Sequence, residues 1–388
     1  MSSDGRYVAF TSSASNLISN DTNNCDDVFV YDRAAGTIER VSVGAGGVEG
    51  NSASRGPSIS ADGRYVAFHS YASNLVPGDT NNQVDVFVYD RTAGTTIRVS
   101  VSFNGAKENG HSYPSSISAD GRYVAFSSYA SNLVPGDSNG NMDAFVYDRD
   151  TGTTERVSVS SGMLQGNNES CCPSISADGR YVAFESYASN LVLNDNNKAE
   201  DIFVRDRDTN ITERTSVNSG GTEEGNGYSF GPSISADGRY VAFESSASNL
   251  VSDDTNNKRD IFVYDRVAGT TERVSVGAGG VEGNSYSEHP SISANGRYVA
   301  FESYASNLVA DDTNDRIDIF VYDRISSAMG RINSGNEMTE MGYNRPFPSI
   351  SADGRYVAFN SDASNLVPND TNNVWDVFVA TDPLDTLT

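Results

Sequence analysis

The sequence predicts an all-β fold, a seven-bladed β-propeller of four-stranded antiparallel blades whose terminal blades are incomplete. Two observations predict it. The segment Ser-Ile-Ser-Ala-Asp-Gly-Arg-Tyr-Val-Ala-Phe, first complete at 58–68, recurs along the chain at intervals of 58 or 59 residues. Each repeat carries four short strand-like runs with almost no helical periodicity, which indicates one supersecondary unit per repeat packed against its neighbours. The marker glycines are Gly5, Gly63, Gly121, Gly179, Gly238, Gly296 and Gly354.

The first half of a repeat, illustrated by 57–68, reads as a hairpin. Strand A is expected at 57–60, because a proline is tolerated at the start of a strand. Asp62 and Gly63 then form a tight turn, since glycine accepts the positive φ that such turns impose. Strand B at 64–68 is continuously apolar, which predicts burial on both faces of the sheet.

The second half begins with a long connection rich in turn-forming residues. Strand C follows at 85–90, a second tight turn surrounds Gly94, and strand D is expected at 96–101. The antiparallel order places the two tight turns at one rim and the long B-to-C and D-to-A loops at the other. The D-to-A loops differ most in sequence among the repeats. Such divergence is expected of a binding face on a fixed scaffold, and it is equally expected of surface loops under little constraint.

The chain is expected to be a single propeller domain with an open edge on its last blade. Such an edge is a template for strand addition, so we expect either that the tail up to Thr388 folds back or that a second chain covers the edge by self-association. The predicted repeats are approximately 1–56, 57–113, 114–172, 173–231, 232–289, 290–347 and 348–388.

The repeat also resembles a known family. Pro-Ser-Ile-Ser-Ala-Asp-Gly-Arg-Tyr-Val-Ala-Phe, followed by Asp-Val-Phe-Val-Tyr-Asp-Arg, is similar to the repeat of TolB-like (WD-repeat-like) β-propellers, in which Pro-x-Trp-Ser-Pro-Asp-Gly-Lys precedes an apolar strand. Ile and Ala stand here in place of that Trp and Pro. The resemblance covers essentially the whole chain and implies the propeller architecture. The family hosts binding modules, peptidase-associated propellers and some lyases, so the resemblance does not select an activity.

The charge and hydropathy of the chain limit the classes of binding partner. The chain has 27 Lys and Arg against 52 Asp and Glu, a formal charge of -25, which disfavours nucleic acid and anionic membrane surfaces. No apolar run is long enough for a membrane span, and the chain begins inside a repeat without signal-peptide character. We therefore expect an extracellular or periplasmic protein whose targeting signal lay upstream. The cysteines Cys25, Cys171 and Cys172 are interpreted as unpaired loop thiols.

The end of each B-to-C loop reads Asp-x-Asn-x-x-x-Asp, which offers oxygen ligands for Ca²⁺. The alternative is that Asp and Asn form Asx turns that order a long loop. Both readings stay open. The seven candidate metal-binding sets are Asp21, Asn23 and Asp27; Asp79, Asn81 and Asp85; Asp137, Asn139 and Asp143; Asp195, Asn197 and Asp201; Asp254, Asn256 and Asp260; Asp312, Asn314 and Asp318; and Asp370, Asn372 and Asp376.

Residues that could act in catalysis are few. The three histidines do not all fall in adjacent repeats, which argues against a histidine metal site; they are His69, His111 and His289. One position at the end of strand B is a glutamate in three repeats: Glu185, Glu244 and Glu302. Paired carboxylates serve acid–base catalysis, but a duplicated position is more simply read as a solvated strand end. No catalytic residue is therefore assigned.

Two function classes follow. The near-identity of the repeats favours a non-catalytic extracellular scaffold, stabilised by calcium, that recognises a glycan or a protein through the long-loop rim. The alternative is a polysaccharide lyase or an enzyme-associated propeller with a site at the channel mouth. Catalysis needs one asymmetric site, so a local cluster of His, Arg, Tyr and carboxylate would favour the enzyme.

Overall fold

The computed structural model describes residues 1–314, 316–332, 347–372 and 374–384. It is a seven-bladed β-propeller, and the predicted fold class is confirmed. The seven sheets are antiparallel and each follows chain order. Within the described residues five sheets have four strands, while the first and the last have three.

The strands have these bounds. The first blade holds β1 (Tyr7–Ser12), β2 (Asp27–Asp32) and β3 (Thr37–Arg40). The second and third hold β4 (Ser54–Ile59), β5 (Tyr65–Ser70), β6 (Asp85–Asp90), β7 (Thr95–Arg98), β8 (Ser112–Ile117), β9 (Tyr123–Ser128), β10 (Asp143–Asp148) and β11 (Thr153–Arg156). The fourth and fifth hold β12 (Ser170–Ile175), β13 (Tyr181–Ser186), β14 (Asp201–Asp206), β15 (Ile211–Arg214), β16 (Ser229–Ile234), β17 (Tyr240–Ser245), β18 (Asp260–Asp265) and β19 (Thr270–Arg273). The sixth and seventh hold β20 (Ser287–Ile292), β21 (Tyr298–Ser303), β22 (Asp318–Asp323), β23 (Ala328–Arg331), β24 (Ser349–Ile350), β25 (Tyr356–Ser361) and β26 (Asp376–Thr381). Two short 3₁₀ turns span Ala45–Gly47 and Ala278–Gly280.

Strand C agrees with the prediction, whereas strands A and D are displaced. In the second blade strand A begins at Ser54, earlier than expected, and its register with β5 shifts between Arg55 and Ser58. This β-bulge places one strand end in an irregular conformation beside strand B. Strand D ends at Arg98, because the next turn brings the Ser100 hydroxyl to the carboxylate that begins strand C.

The chain forms two compact units, one of residues 1–195 and 204–213 and the other of residues 196–203 and 214–388. The single-domain organisation stays a prediction. No helix in the described part of the chain has the length and apolarity needed to cross a membrane.

The core of each unit lies between successive blades. In the first unit Val66 and Phe68 are fully buried, as predicted, and the ring of Phe68 stacks on Phe87 with centroids 5.9 Å apart. On the opposite face of the same sheet, Val88 packs in one cluster with Phe126 of the next blade. The second unit repeats this arrangement between its blades. Both faces of the middle strands are buried, which explains their continuous apolar sequence.

The tight A-to-B turns join successive blades. The Ala61 N–H donates to the Ala119 carbonyl at 3.0 Å, one turn to the next. Gly63 has φ +73°, and a Cβ there would lie 2.2 Å from the ring of Tyr7 in the preceding blade. Glycine is thus needed both for backbone conformation and for close approach. The Arg91 guanidinium covers the same Tyr7 ring at 4.3 Å. Equivalent contacts pair Gly121 with Tyr65, Gly179 with Tyr123, Gly296 with Tyr240, and Gly354 with Tyr298.

The last sheet ends at β26, with no fourth strand among the residues up to 384. The residues after it turn toward the sixth blade, since a Cβ on Gly330 would lie 2.6 Å from Pro383. The predicted fold-back of the tail to Thr388 falls on 385–388, outside the described residues. Self-association through this edge stays a prediction.

Candidate active site

The loops predicted to bind calcium contain Asx turns. In the first blade the Asn23 side-chain oxygen accepts the backbone N–H of Cys25 at 2.7 Å. Its amide nitrogen donates to the Asp27 carboxylate at 3.0 Å. These are the bonds expected of the Asx-turn alternative. The corresponding amide-to-carboxylate bond is present in the other six loops, at Asn81, Asn139, Asn197, Asn256, Asn314 and Asn372.

An arginine from strand D lies between the loop carboxylates. The Arg40 guanidinium is 3.2 Å from Asp27 and 3.5 Å from Asp21, with only 3% of its side chain exposed. The chain therefore supplies its own cation where Ca²⁺ was predicted. Calcium binding stays a prediction, and the arginine is its competitor. Equivalent arginines are Arg98, Arg156, Arg214, Arg273 and Arg331.

Several of these carboxylates are hard to ionise. Burial, opposed by Arg98, raises the pKa of Asp85 to about 6. Burial and the neighbouring Asp260 raise the pKa of Asp254 to about 6. Burial and Asp312 raise the pKa of Asp318 to about 7. The arginine thus offsets a charge that the low-dielectric surroundings disfavour.

Two of the three histidines have structural contacts. The His111 Nδ1 accepts the Val84 backbone N–H at 2.9 Å. The His69 ring lies edge-on to Tyr113 with centroids 5.4 Å apart, and burial lowers the pKa of His69 to about 4. Neither belongs to a group of three ligating side chains in the described part of the chain.

His289 is different because it lies on the β-bulge of β20. The register with β21 shifts between Glu288 and Ser291, and His289 has φ +54°. Glycine occupies the same bulge position in other blades, as Gly56 and Gly231 with φ +62° and +59°. An L-residue held in this region costs about 1 kcal/mol, and such strain concentrates at functional sites.

The imidazole of His289 contacts a buried carboxylate. Its Nδ1 is 2.8 Å from Oε1 of Glu302, whose side chain is fully buried. Glu288 is the cross-strand partner of Glu302, so three titratable groups meet where β20 begins and β21 ends. A carboxylate can only accept here, which assigns the proton to Nδ1 and leaves the Nε2 lone pair available.

Glu244 and Arg259 complete the group. The His289 backbone N–H donates to Oε2 of Glu244 at 2.8 Å, and Arg259 donates to Oε1 of Glu244 at 3.0 Å. Arg259 also donates to Glu288. Burial raises the pKa of Glu244. We refer to Glu244, Arg259, Glu288, His289 and Glu302 as the histidine cluster.

Part of the histidine cluster can hold a metal ion. Glu288, His289 and Glu302 each offer one ligand atom, and these atoms lie within 4.8 Å of one another. Two carboxylate oxygens and an imidazole nitrogen suit a divalent cation of the manganese or zinc type. The donor set therefore fits such an ion.

Aromatic side chains border the histidine cluster. The Phe347 ring is edge-on to His289 with centroids 4.3 Å apart, and 56% of it is exposed. The Arg259 guanidinium lies 5.3 Å from the centroid of Phe230, which stacks on the exposed Tyr228. An apolar surface thus adjoins the charged groups.

The reading of the strand B glutamates as solvated strand ends is wrong. Glu244 is 4% exposed and Glu302 is fully buried, because the bulged strand A covers them. Sequence reasoning also missed Glu288 and Arg259. The available signal was the pair Glu288 and His289, because no corresponding pair in the second to fifth blades joins a carboxylate to an imidazole. Those pairs are Arg55 and Gly56, Tyr113 and Pro114, Cys171 and Cys172, and Phe230 and Gly231.

The chain matches no protein-family model and no curated protein sequence. Among solved structures it is similar to oligogalacturonate lyase from Vibrio parahaemolyticus, with a TM-score of 0.60 and 14% identity over 98% of this chain and 87% of the lyase. An oligogalacturonate lyase in complex with manganese gives the same TM-score and identity over 99% and 88%. The β-propeller domain of the Trilobed protease from Pyrococcus furiosus gives 0.57 and 12% over 97% and 90%.

A structure described as putative TolB from Agrobacterium tumefaciens also matches, with a TM-score of 0.47 and 17% identity over 92% of this chain and 98% of the other. The fold is a β-propeller, the architecture that the resemblance to TolB-like repeats implied. At these identities the similarity concerns the fold.

The prediction of a non-catalytic scaffold is wrong. It rested on the near-identity of the repeats, and the histidine cluster breaks that identity with a group of side chains that no other described blade repeats. Enzymes are also among the matching structures, as the alternative expected.

Proposed function

We propose that this propeller is an enzyme, a lyase that cleaves an acidic polysaccharide at the histidine cluster. The observation that carries the proposal is the His289 imidazole, held at 2.8 Å by the buried Glu302 on a strained bulge. The fold shared with oligogalacturonate lyase supports this reaction class. The long-loop side of the blades, predicted as the binding surface, is where the cluster lies.

The reaction requires a base. A polyuronate lyase removes the proton beside the sugar carboxylate and expels the glycosidic oxygen from the next carbon, leaving a double bond. The Nε2 of His289 is the proposed proton acceptor, because its Nδ1–H is engaged with Glu302. Glu302 is a positioning residue that fixes the tautomer and stabilises the imidazolium.

Positive charge must offset the substrate carboxylate. The chain carries a formal charge of -25, so a polyanion approaches against repulsion unless local cations bind it. Arg259 is the proposed anchor, since its guanidinium suits bidentate contact with a carboxylate. Lys258 lies beside it, with its ammonium 4.9 Å from the centroid of the exposed Tyr286 ring. Exposed Tyr286 and Phe347 offer flat faces for sugar rings.

A divalent metal fits the same donor set. Glu288, His289 and Glu302 would hold it, and when bound it would neutralise charge that develops on the substrate carboxylate. The manganese complex of the similar lyase supports a divalent ion, whereas Ca²⁺ remains a proposal for the Asp-x-Asn loops alone. His289 cannot be both a base and a ligand, so the metal dependence of turnover separates these roles.

The test is ultraviolet detection of the unsaturated product on a panel of polyuronates. We expect His289→Gly to lower the rate by about 10²- to 10⁴-fold. It should fold normally, because glycine is the residue found at this bulge in other blades. His69→Gln is the matched control and should keep full activity. Cleavage without a double bond, or full activity in His289→Gly, would contradict the proposal.

Chelator treatment completes the design. If His289 is the base, activity survives chelation; if His289 is a ligand, chelation abolishes activity and Mn²⁺ restores it. We also propose an extracellular or periplasmic location, where polymeric substrates are found. Fractionation of the producing cells, with the chain detected by antibody, tests that location.

A further inference from the structure

Cys171 and Cys172 lie in β12, so the prediction that they are loop thiols is wrong. Cys171 is the cross-strand partner of Glu185 in β13, and its Sγ is 3.1 Å from Oε1 of that carboxylate. The Glu185 side chain is buried, whereas Cys172 is exposed. A thiol and a carboxylate therefore meet at the end of the sheet.

The bulge of β12 brings the second thiol to the same place. Neighbouring residues of a regular strand point to opposite faces, but the register shifts between Cys171 and Ser174, and Cys172 has φ +54°. The two Sγ atoms are consequently 3.4 Å apart. The Cys172 N–H donates to the Ser127 hydroxyl at 3.0 Å, which fixes the bulge against the preceding blade.

We propose that Cys171, Cys172 and Glu185 bind one thiophilic divalent cation of the zinc class. Zinc bonds of about 2.3 Å to sulfur and about 2.1 Å to oxygen imply sulfur–sulfur and sulfur–oxygen separations of roughly 3.8 and 3.6 Å in a tetrahedron. The separations here are 3.4 and 3.1 Å, and all three ligand atoms lie within 4.8 Å of one another. Small side-chain rotations reach the metal geometry.

The coordination would be open on one side. Three protein ligands leave a fourth tetrahedral position, and the exposed Cys172 directs that position to solvent. The ion can therefore enter and leave without unfolding of the blade. Two sulfur ligands select a softer ion than the oxygen and nitrogen donors of the histidine cluster, so the two sites differ in metal preference.

The test is titration of the reduced full-length chain with Cd²⁺, read from the ultraviolet absorption of cadmium–thiolate bonds. This signal reports on cysteine ligands and is silent for the histidine cluster. We expect one equivalent per chain, with Zn²⁺ displacing it in competition. Cys25→Ser is the matched control, because Cys25 lies in another blade, and it should bind as the wild type does.

The site variants should fall into two classes. Cys171→Ser and Cys172→Gly should weaken Cd²⁺ binding by about 100-fold or more, and Glu185→Gln by about 10-fold, as changes around metal sites do. Cys172→Gly should fold normally, because glycine fits the positive φ of the bulge. An unchanged cadmium signal in Cys172→Gly would overturn the proposal. So would two reduced vicinal thiols that give no signal with Cd²⁺.

Discussion

Replacing Arg273 by methionine should strongly destabilise the fifth blade. The guanidinium is 3.0 Å from Glu282, 3.4 Å from Asp254 and 3.8 Å from Asp260, and only 4% of its side chain is exposed. Methionine keeps most of the volume but leaves these acids without their cation. Breaking a buried ion pair from one side costs about 3–5 kcal/mol of unfolding free energy.

The loss of unfolding free energy in Arg273→Met should be larger at high pH than at low pH. The pKa of Asp254 is already raised to about 6, so the folded state binds a proton more readily than the unfolded chain. Stability from this group is therefore present at low pH and falls as pH rises from about 4 to about 6. Without Arg273 the pKa rises further, and each added unit removes about 1.4 kcal/mol at high pH. The variant should lose more stability at pH 8 than at pH 5.

The loss of unfolding free energy is measured by urea unfolding at both pH values, monitored by circular dichroism and by the fluorescence of Trp375. Arg55→Met is the matched control, because that side chain is 53% exposed in its ion pair with Asp26 and should lose at most about 1 kcal/mol. A loss in Arg273→Met no larger than the control, or equal at pH 5 and pH 8, would refute the reasoning. Restoration of the Arg273→Met midpoint by millimolar Ca²⁺, but not in a second variant that also carries Asp254→Asn, would support calcium in these loops.

Three further predictions use other features. Gly179→Ala should destabilise by at least about 2 kcal/mol more than Gly36→Ala in urea unfolding, because both have positive φ but only the first places a Cβ 2.1 Å from the Tyr123 ring; equal losses would show that the ring yields freely. Burial raises the pKa of Asp318 to about 7, so the wild type should lose stability between pH 5 and pH 8 relative to Asp318→Asn, and parallel pH curves would contradict this. β26 is the outermost strand of the last sheet among the described residues, and we predict that it associates with a second chain. Val377→Lys should then weaken the concentration-dependent mass in light scattering; a wild type that is monomeric at every concentration would exclude this association.

The periodic part of the fold was accessible from the sequence because it depends on local pattern. Val66 and Phe68 were predicted to be buried, and they are, since a continuous apolar run in a repeat leaves no solvated face. The turn at Gly63 was predicted from its neighbours. Its contact with the Tyr7 ring was not, because that contact joins residues of different blades.

The candidate active site was less accessible because it depends on register. The sequence predicted Glu302 to be a solvated strand end. In the structure the bulge of β20 places His289 against its carboxylate. Likewise, the loop carboxylates suggested an external cation because Arg40 is separated from Asp21 by the whole of strand C. Strand positions can be read from a sequence, whereas the conformation of one bulged residue and the reach of one guanidinium depend on packing.

The bulge in strand A has an evolutionary consequence. The residue with left-handed backbone conformation is Gly56, Cys172, Gly231 or His289 in different repeats. The glycines and tyrosines that join the blades lie at the A-to-B turns, away from this position. A single codon change at this position can therefore install a new reactive group without disturbing a joint. Gene duplication supplies further copies of the position, each free to diverge. In such a lineage, chemistry would be acquired one repeat at a time on an architecture that selection holds constant.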